Sequence, residues 1–308
     1  MLKENAVLCF LLPSAVLNVK AHRDLRHFIL QKTNLQSIHF HLTNFKGVST
    51  NFIDISLQKS PPSTHTNIIK NGVATQMPLS AFKFTKNLVF NALDGKDIEI
   101  ISQVKTKCKF DLSASIWGLG IVTGDNKNAL LQRQVKGSEK IYTGKEITPY
   151  RLKDAVNFIV YDRANFQQVA QDSIYRAKEK LVYKFISDKL VFAYDDSGAL
   201  FLNSANILIP KIPTMLIKTA LAFLNSPLYK YLYAKLFGEI KILKGNLLEL
   251  PFPSLSPSQD SKIAALVDGI LRGDDGCKIL VQDEIYKIFD INKSQEARIK
   301  RTLNAKTC

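Results

Sequence analysis

Residues 181–202 read LVYKFISDKLVFAYDDSGALFL, a run of aromatic and branched apolar residues broken by one turn signal. Leu181 to Tyr194 carries strand chemistry, and Asp195-Asp196-Ser197-Gly198 supplies short polar side chains and a glycine that let a backbone reverse. Ala199 to Leu202 then resumes the apolar run. Upstream, Val156 to Tyr161 reads as another strand, and the texture is β-rich from Tyr142 onward. Downstream the period becomes helical. Thr214 to Leu224 predicts one helix, Ser226-Pro227 an N-cap followed by proline at the first helical position, and Leu228 to Phe237 a second helix. Pro251, Pro253 and Pro257 mark a boundary, beyond which Ile263, Leu266, Val267 and Ile270, then Ile285, Ile288 and Phe289, describe a short helical tail.

The first sixty residues read differently. Ala6 to Leu12 is a continuous apolar run ended by Pro13-Ser14, the pattern of a strand covered on both faces. His22 to Lys32 places Leu25, Phe28 and Ile29 at helical spacing, with the Arg and His residues on the other, polar side. Leu35 to Leu42 alternates through Ile38, Phe40 and Leu42, and Asn51 to Leu57 alternates through Ile53, Ile55 and Leu57. The order strand, helix, strand, strand is that of the closing part of an α/β sheet. Residues 58–80, opening on Pro61-Pro62, read as loop or linker. A strand is expected near Phe82–Phe84 and a helix around Asp97–Val104. Trp117 to Gly124 reads as a glycine-punctuated turn. The fold class is therefore α+β: a sheet remnant at 1–60, a connecting segment at 61–116, a mixed, β-rich domain at 117–255 and a helical tail at 256–308.

The 308 residues carry 42 Lys and Arg against 27 Asp and Glu, a net charge of +15. Every portion of the chain shares the excess, so the pattern is a broad basic surface rather than a basic arm. It suits a polyanionic partner, because each neutralised phosphate releases condensed counterions, although a solvated lysine-rich surface fits the charge equally well. The hydrophobic content of 46% is enough for a packed core. Cysteines 9, 108, 277 and 308 lack short paired spacing. Neither a zinc ribbon nor a disulfide framework is implied, and a reducing cytoplasm is the expected location. The apolar run Val7 to Val16 is interrupted by Pro13 and too short to cross a bilayer, so no membrane partner is expected.

Catalytic chemistry is sparse. His39 and His41 share one face of a candidate strand, but no third metal ligand stands at a suitable spacing, so they read as a solvent-facing pair. Glu239-Ile240-Lys241 has the triplet of a metal-dependent nuclease, yet the nearest upstream acids, Asp195 and Asp196, are far off in sequence. No glycine-rich cofactor fingerprint or phosphate loop follows a strand.

Several segments carry a family resemblance. Phe10-Leu11-Leu12-Pro13-Ser14-Ala15-Val16-Leu17-Asn18, the helix with Arg23 and Arg26, and Phe45-Lys46-Gly47-Val48-Ser49-Thr50 resemble the end of the methyltransferase domain in adenine-specific enzymes of the TaqI and type IIG restriction-modification kind. Gly120 to Asn126, Tyr142 to Ile147, Lys180 to Tyr183, Tyr194-Asp195, Asn203-Ser204, Leu224 to Ser226 and Leu243 to Pro251 resemble, in order, the TaqI-like C-terminal specificity domain. The resemblance implies a Rossmann-like sheet ahead of a target-recognition domain that reads duplex DNA. It also implies S-adenosylmethionine as the cofactor of the intact enzyme, and an Asn-Pro-Pro-Tyr tetrapeptide that holds a flipped adenine. Neither cofactor motif nor tetrapeptide is present. Ser60-Pro61-Pro62 lacks the asparagine and tyrosine, and Asn225-Ser226-Pro227-Leu228-Tyr229 lies at a helix start in the specificity region. The expectation is a DNA reader with no catalytic or cofactor-binding residue of its own, working with an upstream polypeptide that carries the catalytic half. A stand-alone DNA-binding protein and a decayed remnant are the other readings. The candidate DNA contacts are Lys140, Lys145, Tyr150 and Arg151 around the Thr-Gly-Lys-Glu segment, Arg176, Lys178 and Lys180 before a strand, and Lys241 and Lys244 after the helices.

Overall fold

Strand β1 (Val7–Pro13), helix α1 (Arg23–Lys32) and strand β2 (Asn34–Phe40) follow one another as the apolar spacing predicts. Strand β3 (Phe52–Gln58) lies between β1 and β2 and is antiparallel to both, so β1 and β2 run parallel with α1 as their crossover. This computed structural model describes residues 3–41, 51–238 and 241–305. Leu42, the Phe45–Thr50 motif, and Glu239 with Ile240 lie outside them. The chain divides into two units, residues 1–102 with 235–238 and residues 103–234 with 239–308.

In the first unit, the stretch expected to be a linker is a hairpin. Strands β4 (His65–Lys70) and β5 (Val73–Pro78) pair antiparallel, and β4 joins β2 in parallel to complete a five-stranded sheet. The turn is Asn71-Gly72, with φ of +53° and +74°, the left-handed pair that tight hairpins need. Proline-rich composition at 61–62 masks this signal. The strand expected near Phe82 is a 3-10 turn over Leu79–Phe84, which buries Ala81 and stacks Phe82 on Phe90 at 4.4 Å.

Two further expectations change here. β1 is an edge strand with β3 as its neighbour, and Val7, Phe10 and Leu11 are 51%, 51% and 48% exposed rather than covered on both faces. On α1, Ile29 is buried as expected, but Leu25 and Phe28 face outward and Arg26 is fully buried. Its guanidinium donates to the carbonyls of Val16 at 2.8 Å, Val19 at 3.0 Å and Asn87 at 2.8 and 3.1 Å. Desolvation, with Arg23 beside it, lowers its pKa to about 10.

Helix α2 (Gly95–Lys107) carries the chain into the second unit, where β6 (Cys108–Phe110) and β7 (Ile116–Leu119) follow. After the short helix α3 (Asn126–Ala129) come β8 (Ser138–Tyr142), β9 (Asn157–Val160) and the short helix α4 (Asp172–Tyr175). The segment 181–202 resolves into a hairpin of β10 (Lys180–Lys184) and β11 (Phe192–Asp195), then β12 (Leu200–Phe201) beyond the expected turn. Strand β13 (Ala205–Ile209) was hidden because it is nearly continuous with β12 in sequence. Two sheets result, ordered β11-β10-β13-β7 and β12-β8-β9. Ile121, Ile141, Ile159, Val182, Phe201 and Ile207 pack between them.

Helices α5 (Ile217–Asn225), α6 (Pro227–Leu236) and α7 (Lys244–Leu247) follow, with Ser226 accepting from the Tyr229 amide at 3.2 Å as the N-cap reading requires. Strand β14 (Phe252–Pro253) pairs with β6. The tail is α8 (Pro257–Leu271), α9 (Cys277–Phe289) and α10 (Lys293–Asn304). Phe289 from α9 joins Phe223 and Tyr229 in an aromatic cluster with ring centroids 5.4 to 6.4 Å apart.

Trp117 to Gly124 is a strand and its continuation, not a turn. Gly118 pairs with Ile207 in β13, and Ile121 bridges Leu202. A Cβ on Gly120 would lie 2.1 Å from the Leu202 carbonyl oxygen and 2.4 Å from that of Ala205. Backbone cannot yield there as a side chain could. Gly120→Ala is therefore expected to destabilise the chain by about 3 kcal/mol or more, read as a lowered urea midpoint, whereas Gly245→Ala, which meets open space, should cost little.

Candidate nucleic-acid interface

The Thr143-Gly144-Lys145-Glu146 segment leaves the end of β8 as a turn held from inside. The Glu146 carboxylate, 6% exposed, accepts from the Thr143 amide and hydroxyl, both at 2.7 Å. The Gly144 amide donates to Ser204 Oγ at 3.0 Å, and a Cβ there would meet the Ser204 carbonyl oxygen at 2.8 Å. That same carbonyl accepts from the Phe185 amide at 3.1 Å. One Asn203-Ser204 turn thus binds the Thr-Gly-Lys-Glu loop to the end of β10. The loops surround a cleft of about 650 Å³ lined by Asn126, Thr143, Lys145, Asn157, Lys184 and Ser204, among others. Ile186 and Val156 stand at it as exposed apolar groups, 64% and 59% accessible. Amides, hydroxyls and two ammonium groups can donate and accept along a base edge or grip a sugar–phosphate, with the apolar groups against a base face or methyl. The carboxylate in the cleft is spent on its own turn, so the set suits recognition rather than acid–base chemistry.

Residues 139–252 match the TaqI-like C-terminal specificity domain. Over 152 residues, 48% of this chain, the sequence is 32% identical to the type II methyltransferase M.VspI of Vibrio sp. (strain 343), covering 37% of that protein. The fold is similar to that of MmeI, a type IIL restriction-modification enzyme solved in complex with DNA, with a TM-score of 0.61 at 11% identity, covering 96% of this chain and 49% of that one. It is also similar to a DrdV–DNA complex, with a TM-score of 0.50 at 12% identity over 89% of this chain and 38% of that one. This chain spans less than half the length of each of these proteins.

Within residues 139–252 the expected contact residues separate by burial. Lys145 sits in the cleft and is exposed. Lys241 is exposed beside it, bridging Ile186 through the backbone. Lys244 is exposed at the start of α7, its ammonium 5.6 Å from the Trp117 ring centroid. Lys140 on β8 and Lys178 ahead of β10 are also exposed. Arg151 is tied to Asp275, and Arg176 to Glu139 at 2.8 Å and the Gly198 carbonyl at 2.8 Å. The hydrogen bond to Glu139 raises the Arg176 pKa.

Two candidates are interior. Tyr150 is 5% exposed, with φ of +73°, and its backbone continues the β11 edge: its amide donates to Phe192 at 2.8 Å and its carbonyl accepts from Tyr194 at 3.0 Å. Burial raises its hydroxyl pKa and removes it from any DNA surface. Lys180 is fully buried against Asp195 and donates to the Tyr175 carbonyl at 2.6 Å. Burial pulls its ammonium pKa down and Asp195 pulls it back up. Asp195, weighed above as a nuclease acid, is consumed by this pair.

The sequence reading missed Lys184, whose strand position looked structural, and a second basic group. Burial lowers the Lys230 pKa to about 8, with Lys189 and Lys278 acting in the same direction. Asp275 joins Lys278 to Arg151, so four basic residues distant in sequence gather here. Only the tertiary fold could assemble them.

Lys180→Ala is expected to cost about 3–5 kcal/mol in denaturant titrations, because it strands a buried carboxylate, while Lys145→Ala stays within about 0.5 kcal/mol. Lys230 gives a pH signature. Between pH about 8 and 10.5 the unfolded chain holds a proton that the folded chain has released, so stability rises with pH across that window. Lys230→Met should flatten the rise, on the order of 1 kcal/mol after allowance for its partial exposure.

Proposed function

We propose that this chain is the DNA-sequence-reading portion of a site-specific, adenine-specific (N6) methyltransferase of a restriction-modification system. The match of residues 139–252 to the specificity domain carries the reading, since the Thr-Gly-Lys-Glu loop and the Asn203-Ser204 turn that shape the cleft both fall inside it. Double-stranded DNA is the partner. Lys145, Lys184, Lys241 and Lys244 contact phosphates and set register, while the amides and hydroxyls of the cleft meet base edges.

The glycines after Trp117 support leaving S-adenosylmethionine to another polypeptide. Gly118 and Gly120 press on Ile174, Ile207 and the Leu202 and Ala205 carbonyls instead of opening towards a ligand. On this reading an upstream polypeptide supplies cofactor binding and methyl transfer, and the pair works in the cytoplasm. The crossover of β1, α1 and β2 supports reading the first unit as the closing part of a Rossmann-like methyltransferase sheet. The free edge of β1, with Val7, Phe10 and Leu11 half exposed, is where that polypeptide would add its strand. Among the described residues no helix is long and apolar enough to cross a membrane.

Duplex binding should be measured against salt. The slope of log K against log salt is expected to fall by about 0.9 for each phosphate contact removed, so Lys145→Ala with Lys184→Ala flattens it by roughly 1.8. A slope unchanged by both substitutions would remove the cleft from the interface. Labelled S-adenosylmethionine should methylate DNA only when the upstream product is added; transfer by this chain alone would refute the division of labour.

A further inference from the structure

His39 and His41 read from sequence as a solvent-facing pair because no third ligand was near. The fold supplies one. β3 runs antiparallel beside β2 in a register that sets Asp54 opposite His39, on the face that His39 and His41 share. His41 Nε2 lies 2.8 Å from Asp54 Oδ2, and His39 Nδ1 lies 3.9 Å from the same oxygen. The imidazole rings are 4.4 Å apart, and one ligand atom from each of the three residues falls within 4.8 Å of the other two.

We propose that His39, His41 and Asp54 form a binding site for a divalent transition metal ion, with zinc the foremost candidate. Four ligands at about 2.0–2.2 Å from a tetrahedral zinc lie roughly 3.3–3.6 Å from one another. The two separations from Asp54 bracket that range, so side-chain rotation of His39 and Asp54 brings the carboxylate to ligand spacing from both imidazoles. The donor set decides the metal. Two imidazole nitrogens and one carboxylate oxygen suit zinc, cobalt, nickel or copper, whereas magnesium and calcium prefer oxygen alone. The side chains are 38%, 30% and 32% exposed, which leaves an entry path and room for water as a fourth ligand. Two of the ligands are on one strand or just past its end and the third is on its neighbour, so the metal would pin β2 to β3. The site is independent of the DNA-reading proposal.

Calorimetric titration of the chelator-treated full chain with zinc, and with cobalt for its visible spectrum, tests this. One ion should bind per chain, cobalt should give the intense bands of a four-coordinate site, and magnesium should give no heat at the same concentration. His41→Gln and Asp54→Asn should each weaken zinc by more than about tenfold, since even outer partners of metal ligands are worth that much. His65→Ala, on β4 and outside the cluster, should bind as the parent does. Saturating zinc should raise the melting temperature of the parent and His65→Ala but not of His41→Gln. Absence of saturable zinc and cobalt binding, or binding that survives both ligand substitutions, would overturn the proposal. So would equal loss in His65→Ala.

Discussion

The buried pair of Lys180 and Asp195 governs the second unit. Burying two opposite charges is costly, and it is tolerated only where hydrogen bonds satisfy what the pair leaves over. Here they do. Lys180 also donates to the Tyr175 carbonyl, and Asp195 accepts from Ser197 Oγ at 2.6 Å and from the Ser197 and Ala199 amides at 3.3 Å. The pair therefore fixes the open end of the β10–β11 hairpin and the turn that leads into β12. β12 pairs with β8, and the Thr-Gly-Lys-Glu loop leaves from the end of β8. An apolar pair of similar volume could supply as much stability; what charge adds is direction, because only one geometry of turn and strand satisfies every donor.

The cleft inherits that rigidity through backbone rather than side chains. Gly120 and Gly144 each bring a strand or loop against carbonyls of the Leu202–Ala205 turn at a separation no Cβ allows. The side chains of the cleft consequently project from a frame held by backbone contact and a buried carboxylate. Loops can change in sequence above such a frame without moving it, which suits the target reading proposed for this domain.

Much of this was legible in advance, and the exceptions share a cause. Alternation at Ile53 and Ile55 and spacing in α5 and α6 are local, and they were read correctly. Arg26 was placed on a polar face because charge usually means solvent, yet three carbonyls brought from Val16, Val19 and Asn87 satisfy it inside. β1 was read as doubly covered because its apolar run is continuous, whereas burial depends on neighbours the run does not contain. The Asn71-Gly72 turn was a local signal that composition outweighed. Asp54 beside His39 and Lys184 beside Lys145 depend on strand register and loop closure, so no spacing within either segment could reveal them.

Charge alone could not choose among the candidate contacts, and burial with pairing does. A phosphate contact gains from counterion release only if the cation is free to reach it. Lys180 would have to leave a buried carboxylate and a carbonyl, at a cost far above the gain from one phosphate. Arg151 would have to leave Asp275 in a pair that is 36% and 61% exposed, and such pairs are worth about 0–1 kcal/mol. On the DNA-reading proposal a phosphate would therefore take Arg151 from Asp275, which keeps its pair with Lys278, but would not take Lys180. On that proposal the basic surface narrows to Lys145 and Lys184 in the cleft, Lys241 bridged to Ile186 at its wall and Lys244 over the Trp117 ring, with Arg151 held by Asp275.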